Sequence, residues 1–305
     1  MVAGYFGAMK VLDGKALAGL IKNEVAEQVR SHTAIGNRAP HLVAVLVGDH
    51  PASASYVRNK VRSCEAVGFR STIERLDKSA SQDEVIALVR RLNADDAVDG
   101  FIVQLPLPPH IDEQAVNLAI DPRKDVDGFH PVNFGRMAQG LAAYLPATPY
   151  GILQLLERYD VETAGKHAVV LGRSNIVGTP ISILLSRKSR TGNATVTLTH
   201  SRTRDLPDVL RTADILVAAI GSPAYVTADM VKPGAVVVDV GINRVDDDTR
   251  KRGYRLVGDV DYAGVSAVAS AMTPVPGGVG PMTVVSLIQN TLRAARGEVY
   301  GKPRA

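Results

Sequence analysis

Tyr56 and Lys60 stand four residues apart in Ser55-Tyr56-Val57-Arg58-Asn59-Lys60. On a helix that spacing sets an aromatic ring and an ammonium on one face, at the border between core and solvent. A lysine so placed can give and take protons for a reacting group, although a surface lysine beside a packing tyrosine has the same spacing. Gln104 lies near the end of the strand-like run 99–105, which Pro106, Pro108 and Pro109 forbid from continuing. In an open α/β sheet ligands bind beyond the carboxyl ends of strands, so Gln104 either meets a ligand or satisfies loop backbone. Asp125 and Asp127 flank Val126 in a polar loop before Gly128. Paired carboxylates can hold a metal, yet no His or Glu is spaced to complete a site, and a turn-capping role suits at least one of them. No metal is expected, and His130 reads as a loop residue.

A second chemistry needs backbone more than side chains. Gly172-Arg173-Ser174-Asn175-Ile176-Val177-Gly178 follows an apolar run and heads a helix-like stretch. Outward-facing N–H groups at a helix start bind anions, because unpaired amides and the helix dipole both favour negative charge. The glycine spacing is one residue longer than the dinucleotide fingerprint, so the setting must decide. Strands at 166–171, 194–199, 214–220 and 235–241 alternate with helical segments, as a parallel βαβ sheet requires. An NAD site carries Asp or Glu at the end of the second strand; here the residues are His200-Ser201-Arg202-Thr203-Arg204. Hydroxyl and guanidinium groups, with Arg173 in the glycine turn, suit a 2′-phosphate, which favours NADP over NAD. Arg202 read alone is also compatible with a plain surface charge. Val238–Asn243 closes the fourth strand near the place of a nicotinamide. The Pro/Gly-rich loop Thr273–Thr283 before the final helix either wraps a flat ligand or links domains.

These groups need a scaffold. Leu17, Ile21, Val25 and Val29 recur at helical spacing within 15–32, and His41–Val47 is a short apolar strand. Asp49-His50-Pro51-Ala52-Ser53 reads as a turn capping a helix from about Ala54 to Val67, with Val57, Val61 and Cys64 inward. A strand at 69–76, a capping box at Ser81-Gln82-Asp83-Glu84, a strand at 99–105 and a short helix at 112–120 follow. Thr148 and Pro149 start a helix through Tyr159. The 305 residues suffice for two domains, and 46% hydrophobic with 22% charged content is that of a soluble globular chain. Apolar runs fall far short of the ~20 residues of a membrane helix, residues 1–15 lack a secretory pattern, and the single Cys64 excludes a disulfide framework or multi-cysteine zinc site. A cytoplasmic protein is expected. Net charge is +4, but no helix or sheet carries a basic stripe with aromatics, so neither nucleic acid nor membrane is an expected partner.

Six motifs occur in one order: Ser55–Lys60, Val103-Gln104-Leu105-Pro106-Leu107-Pro108, Lys124-Asp125-Val126-Asp127-Gly128, Gly172–Gly178, Asp239-Val240-Gly241-Ile242-Asn243 and Pro274–Thr283. Jointly, from about Val11 to Arg296, the sequence resembles the bifunctional methylenetetrahydrofolate dehydrogenase/methenyltetrahydrofolate cyclohydrolases of the bacterial FolD type. The resemblance implies two α/β domains flanking a cleft, the second a Rossmann-like parallel sheet. A catalytic, folate-binding domain would comprise 1–148 plus 282–305, and an NADP-binding domain 149–281. It implies oxidation of 5,10-methylenetetrahydrofolate by NADP and hydrolysis of the methenyl product to 10-formyltetrahydrofolate. Such chemistry belongs to one-carbon metabolism and purine biosynthesis, in a cytoplasmic homodimer acting on tetrahydrofolate derivatives.

On that resemblance Lys60 is catalytic, Gln104 hydrogen-bonds it, Tyr56 lies against the folate rings, and Asp127 accepts hydrogen bonds from the pterin. Val103, Leu105 and the loop of Pro276, Gly277, Gly278, Val279 and Gly280 would also contact folate. Gly172, Arg173, Ser174, Ser201, Arg202 and Ile242 would bind NADP. Three departures stand out: a longer segment at Arg187–Gly192, Ala147 where the family often has Cys, and a lead before Met9, itself a candidate start. The rival readings are an NADP dehydrogenase for another small acid with Lys60 as proton donor, and a nucleotide-sensing or nucleic-acid-binding protein without turnover.

Overall fold

The computed structural model describes residues 9–48, 51–250 and 253–301, with only the backbone of the helical residues 51–55. The lead before Met9 and Asp49-His50 of the expected turn lie outside the described residues. In chain order the elements are β1 (Lys10–Val11), α1 (Gly14–Ala34), β2 (His41–Val47), α2 (Pro51–Glu65), β3 (Arg70–Leu76), α3 (Gln82–Ala94), β4 (Gly100–Val103), α4 (Glu113–Ala119) and α5 (Pro131–Ala138). They continue with α6 (Ala147–Arg158), β5 (His167–Leu171), α7 (Gly178–Ser186), β6 (Thr195–Thr199), α8 (Leu206–Leu210), β7 (Ile215–Ala218) and β8 (Val236–Asp239). The last are β9 (Asn243–Asp246), β10 (Tyr254–Val257), α9 (Tyr262–Val265), β11 (Ala271–Met272) and α10 (Val279–Arg296).

The chain forms two compact units, one of 19–147 with 284 onward, the other of 148–283 with the described residues up to Ala18. The first is built on a three-stranded parallel sheet in the order β3-β2-β4. Every residue of β2 is buried, as a central parallel strand covered on both faces must be. Val43, Val45, Val85, Val89 and Phe101 form its core on one side. The Ser81–Glu84 capping box is present, with both reciprocal hydrogen bonds.

The second unit holds a six-stranded parallel sheet, β1-β11-β8-β7-β5-β6. The four strands expected there from apolar runs all form. β1 and β11, two residues each, extend the sheet beyond them. Because β1 pairs with β11, the start of the chain groups with this unit.

Several local features differ from expectation. α2 begins at Pro51 and not after Ser53, since proline's fixed φ suits a first helical turn and its missing N–H costs nothing there. α5 occupies Pro131–Ala138, a stretch for which no element was expected. α10 begins at Val279, so the Pro/Gly loop is shorter than expected and Val279 and Gly280 lie in the helix's first turn. The Arg187–Gly192 segment is a closed turn: Asn193 N–H donates to the Arg187 carbonyl at 2.8 Å, and the Asn193 amide to the Ser189 carbonyl at 2.8 Å.

Candidate functional site

Lys60 projects from the middle of α2 between buried Val57 and Cys64 and is itself only 6% exposed. A lysine is seldom so buried without a partner. Its ammonium donates to Gln104 Oε1 at 3.3 Å. Gln104 is held in turn: its backbone N–H donates to the Val45 carbonyl at 2.9 Å and its side-chain amide to the Leu105 carbonyl at 2.7 Å. That leaves the amide oxygen as the end presented to Lys60. Tyr56, one turn earlier, keeps its ring 41% exposed, available to a ligand. The surface-lysine alternative does not describe this corner.

The two carboxylates of the 125–127 loop divide their work. Asp125 is 2% exposed and accepts the backbone N–H groups of Gly128, Phe129 and His130 together with the Asn133 side-chain amide. It is the turn-capping residue. Burial pushes its carboxyl up to about 7, against the downward pull of Asn133 and His130. Asp127 is half-buried, and among the described residues no donor reaches its carboxylate. Burial raises its pKa, and the charge of Lys60 works against that shift. An acceptor left open beside an ammonium is suited to donors brought by a ligand.

His130, expected in a loop, caps α5: its Nδ1 accepts the Val132 N–H at 3.1 Å and Pro131 follows in the first turn. From α10, the Asn290 amide donates to the carbonyls of Val126 and Leu145, both at 2.9 Å, and pins the Asp127 loop from behind.

In the other unit, Gly172 ends β5 at φ 114°. A Cβ there would lie 2.1 Å from the Ala219 carbonyl oxygen, and one on Gly178 would lie 1.9 Å from the Gly172 oxygen. Only glycine lets the turn close this tightly. Ser174 Oγ accepts from Val177 and Gly178 at 3.2 and 3.4 Å, curling 173–177 over the start of α7. Arg173 to Ile176 remain exposed. Ser201 and Arg202 are exposed just past β6, whose Thr199 pairs with Leu171 of β5. Ile242, 46% exposed, follows β8. All the expected cofactor residues therefore sit at carboxyl ends of parallel strands, where such sheets bind ligands.

The loop 273–278 is anchored by the buried Thr273. Gly14 faces it so closely that a Cβ would lie 1.8 Å from the Gly278 oxygen, while Lys15 N–H donates to the Gly277 carbonyl at 2.8 Å. Lys60, Gln104 and Asp127 are thus brought together in one unit, and Gly172, Ser201 and Ile242 along one sheet edge in the other. Pro276 to Gly280 belong to the latter unit.

Two residues with positional roles were not singled out from sequence: Asp239 and Asp259, 2% and 0% exposed, which tie the strand ends together. A signal was present for Asp239, since an acid at the end of an apolar strand needs donors; Asp259 follows the largely exposed β10 and has no such mark. Among the described residues no cluster suits a metal ion.

Two family models cover most of the chain: the tetrahydrofolate dehydrogenase/cyclohydrolase catalytic domain over residues 12–127, and the NAD(P)-binding domain of the same family over 146–299. The bifunctional protein FolD of Flavobacterium johnsoniae is 58% identical over 94% of this chain and 98% of its own. That of Porphyromonas gingivalis is 56% identical over 94% and 97%. Among solved structures, the bifunctional FolD methylenetetrahydrofolate dehydrogenase/cyclohydrolase of Campylobacter jejuni has a TM-score of 0.89 at 44% identity, covering 95% of this chain and all of that one. The Trypanosoma brucei FolD, complexed with NADP cofactor and an inhibitor, has a TM-score of 0.89 at 40% identity, over 96% and 99%. With both domain models matched in order and relatives this similar along nearly the whole length, the chain belongs to the tetrahydrofolate dehydrogenase/cyclohydrolase family.

Proposed function

We infer that the protein oxidises 5,10-methylenetetrahydrofolate to the 5,10-methenyl form with NADP and hydrolyses that product to 10-formyltetrahydrofolate. The observation that carries the reading is the buried Lys60 ammonium on Gln104, with the open Asp127 carboxylate in its field. Hydrolysis adds water to the amidinium carbon and breaks a carbon–nitrogen bond; the formyl oxygen keeps neither water proton, so one must reach the departing ring nitrogen and the other must be released to solvent. Lys60 serves both transfers, and Gln104 keeps its Nζ in place between them. Asp127 accepts from the pterin's amino and ring N–H groups, and Tyr56 lies against the rings. Val103, Leu105 and the Pro276–Gly280 stretch complete the folate contacts.

The strand-end residues fit a dinucleotide phosphate: a glycine turn too tight for any Cβ, exposed Arg173 and Ser174, and no acid at the β6 end. NADP supplies the hydride acceptor when bound. Arg173, Ser174, Ser201 and Arg202 hold its phosphates, Gly172 permits the turn, and Ile242 borders the nicotinamide. The unit around β2 would thus supply Tyr56, Lys60, Gln104 and Asp127, and the unit around β5 the cofactor residues and the Pro276–Gly280 stretch.

Among the described residues no helix is long and apolar enough to cross a membrane. Family membership supports a cytoplasmic homodimer supplying formyl groups for purine synthesis.

One coupled assay tests the reading: methylenetetrahydrofolate with NADP or NAD, following methenyl formation and its decay. Both steps should occur, with NADP preferred. Methenyltetrahydrofolate that does not hydrolyse faster than in buffer overturns the cyclohydrolase assignment. NADP reduction only with a different small acid would favour the other dehydrogenase.

A further inference from the structure

Beneath the cofactor face two buried carboxylates meet. Asp239, the last residue of β8, accepts Gly241 N–H and Asp259 N–H on Oδ1 at 3.0 and 2.9 Å, and Val260 N–H on Oδ2 at 3.1 Å. Asp259 Oδ2 accepts Ile220 and Gly221 N–H at 2.7 and 2.9 Å, and its Oδ1 accepts the Asn243 amide at 2.9 Å. The fit excludes side chains on the neighbours: a Cβ on Gly258 would lie 1.7 Å from Asp239 Oδ2, and one on Gly241 2.3 Å from Asp259 Oδ1. Asp259 thus joins the segment after β7 to the segment after β8, and Asp239 joins Asp259 to the end of β8.

Both joined segments carry the cofactor face. Ala219, one residue before the Asp259-bound pair, presents the carbonyl against which Gly172 closes, and its N–H donates to the Leu171 carbonyl at 2.7 Å. Ile242 lies between Gly241 and Asn243, each bound to one of the two acids. We propose that Asp239 and Asp259 are positioning residues for hydride transfer, setting the Gly172 turn and Ile242 in mutual register without touching cofactor themselves. This rests on the NADP assignment above. Hydrolysis, assigned to Lys60 in the other unit, does not depend on it.

The donor pattern makes the two acids unequal in a way that can be tested. All three donors to Asp239 are backbone N–H groups, which cannot turn round. An Asp239→Asn amide must set its own N–H₂ against at least one of them, and a buried unsatisfied pair is expensive. Asp259 has two backbone donors on one oxygen and a side-chain amide on the other. In Asp259→Asn the oxygen keeps both backbone donors, and the Asn243 amide flips to present its own oxygen to the new N–H₂.

The experiment compares Asp239→Asn, Asp259→Asn and the double variant Asp259→Asn/Asn243→Ala. It reads dehydrogenase kcat/KM for NADP, NADP affinity by titration calorimetry, and hydrolysis of supplied methenyltetrahydrofolate without NADP. Asp259→Asn should stay close to wild type. Asp239→Asn and the double variant should lose roughly tenfold or more in kcat/KM and weaken NADP binding, while all three hydrolyse at the wild-type rate. Equal behaviour of the two single variants, or hydrolysis falling in step with hydride transfer, overturns the proposal. A wild type that binds NADP without reducing it would overturn the functional reading alone, since the calorimetric ranking still decides this one.

Discussion

On α2 the working groups are side chains: Lys60 is buried along one flank and bonded to a glutamine whose other end is tied down. After β5 they are backbone, a turn whose glycines admit no Cβ and whose residues 173–176 are exposed. The difference follows from what each half must do. Moving a proton to a chosen nitrogen needs an ionisable group held at one spot. Holding a dinucleotide needs many weak donors and close approach, which bare backbone supplies. Beneath both, buried aspartates collect backbone N–H groups and hold the segments in shape: Asp125 under Asp127, and Asp239 with Asp259 under Ile242.

The sharpest way to break this contrast is to remove the one side chain that matters on one side. Lys60→Ala should lower hydrolysis of methenyltetrahydrofolate by about 10²- to 10⁴-fold with NADP affinity unchanged; an equal loss of both would make Lys60 structural. On the other side the matching change adds atoms. In Gly172→Ala the new methyl meets the Ala219 oxygen at an unfavourable φ, and dehydrogenase kcat/KM should fall about 100-fold while hydrolysis of supplied substrate persists. Intact NADP reduction would show that the turn can relax and is no cradle. The smallest effect concerns which dinucleotide is taken. Ser201→Asp should weaken NADP relative to NAD by roughly five- to tenfold at low salt, and less as salt screens the new charge. Unchanged preference would put the 2′-phosphate elsewhere.

Much of this was legible because the informative patterns were local. The apolar runs of β5, β7 and β8 mark buried parallel strands within a residue or two. β6 forms as a partly exposed edge strand, and β4 stops at Val103, two residues short of the expected end and ahead of the prolines. What escaped depends on partners far along the chain. β1 and β11 are too short to show any periodicity and exist because each finds the other across 260 residues. α5 is a different case: its partners are local, but its cap is Nδ1 of His130, whose N–H Asp125 holds, and not the Ser, Thr, Asp or Asn that usually marks a helix start. The roles of Asp125 and Asp127 could not be told apart from their spacing. Only the donors gathered on one, and missing from the other, separate them.

The Asp125 turn also contributes to stability with an uncommon dependence on pH, opposite to that of carboxyls held low by hydrogen bonds, such as Asp214 and, despite its burial, Asp121. A carboxyl near 7 in the folded chain and near 3.9 in an unfolded one holds a proton through weakly acidic solution that the unfolded chain has released. Unfolding then gives up a proton, so this group's contribution is complete below about pH 4 and drains away as pH rises towards 7. Asp239, raised to about 6, adds to the trend. His41 and His130, held below the usual imidazole range by burial, oppose it. A comparison with Asp125→Asn isolates the carboxyl: the melting temperature of the unmodified protein should exceed that of the variant by more at pH 5 than at pH 7.5. A gap that widened with pH would mean that the four donors keep the carboxylate ionised, and that the turn is held by charge and not by a shared proton.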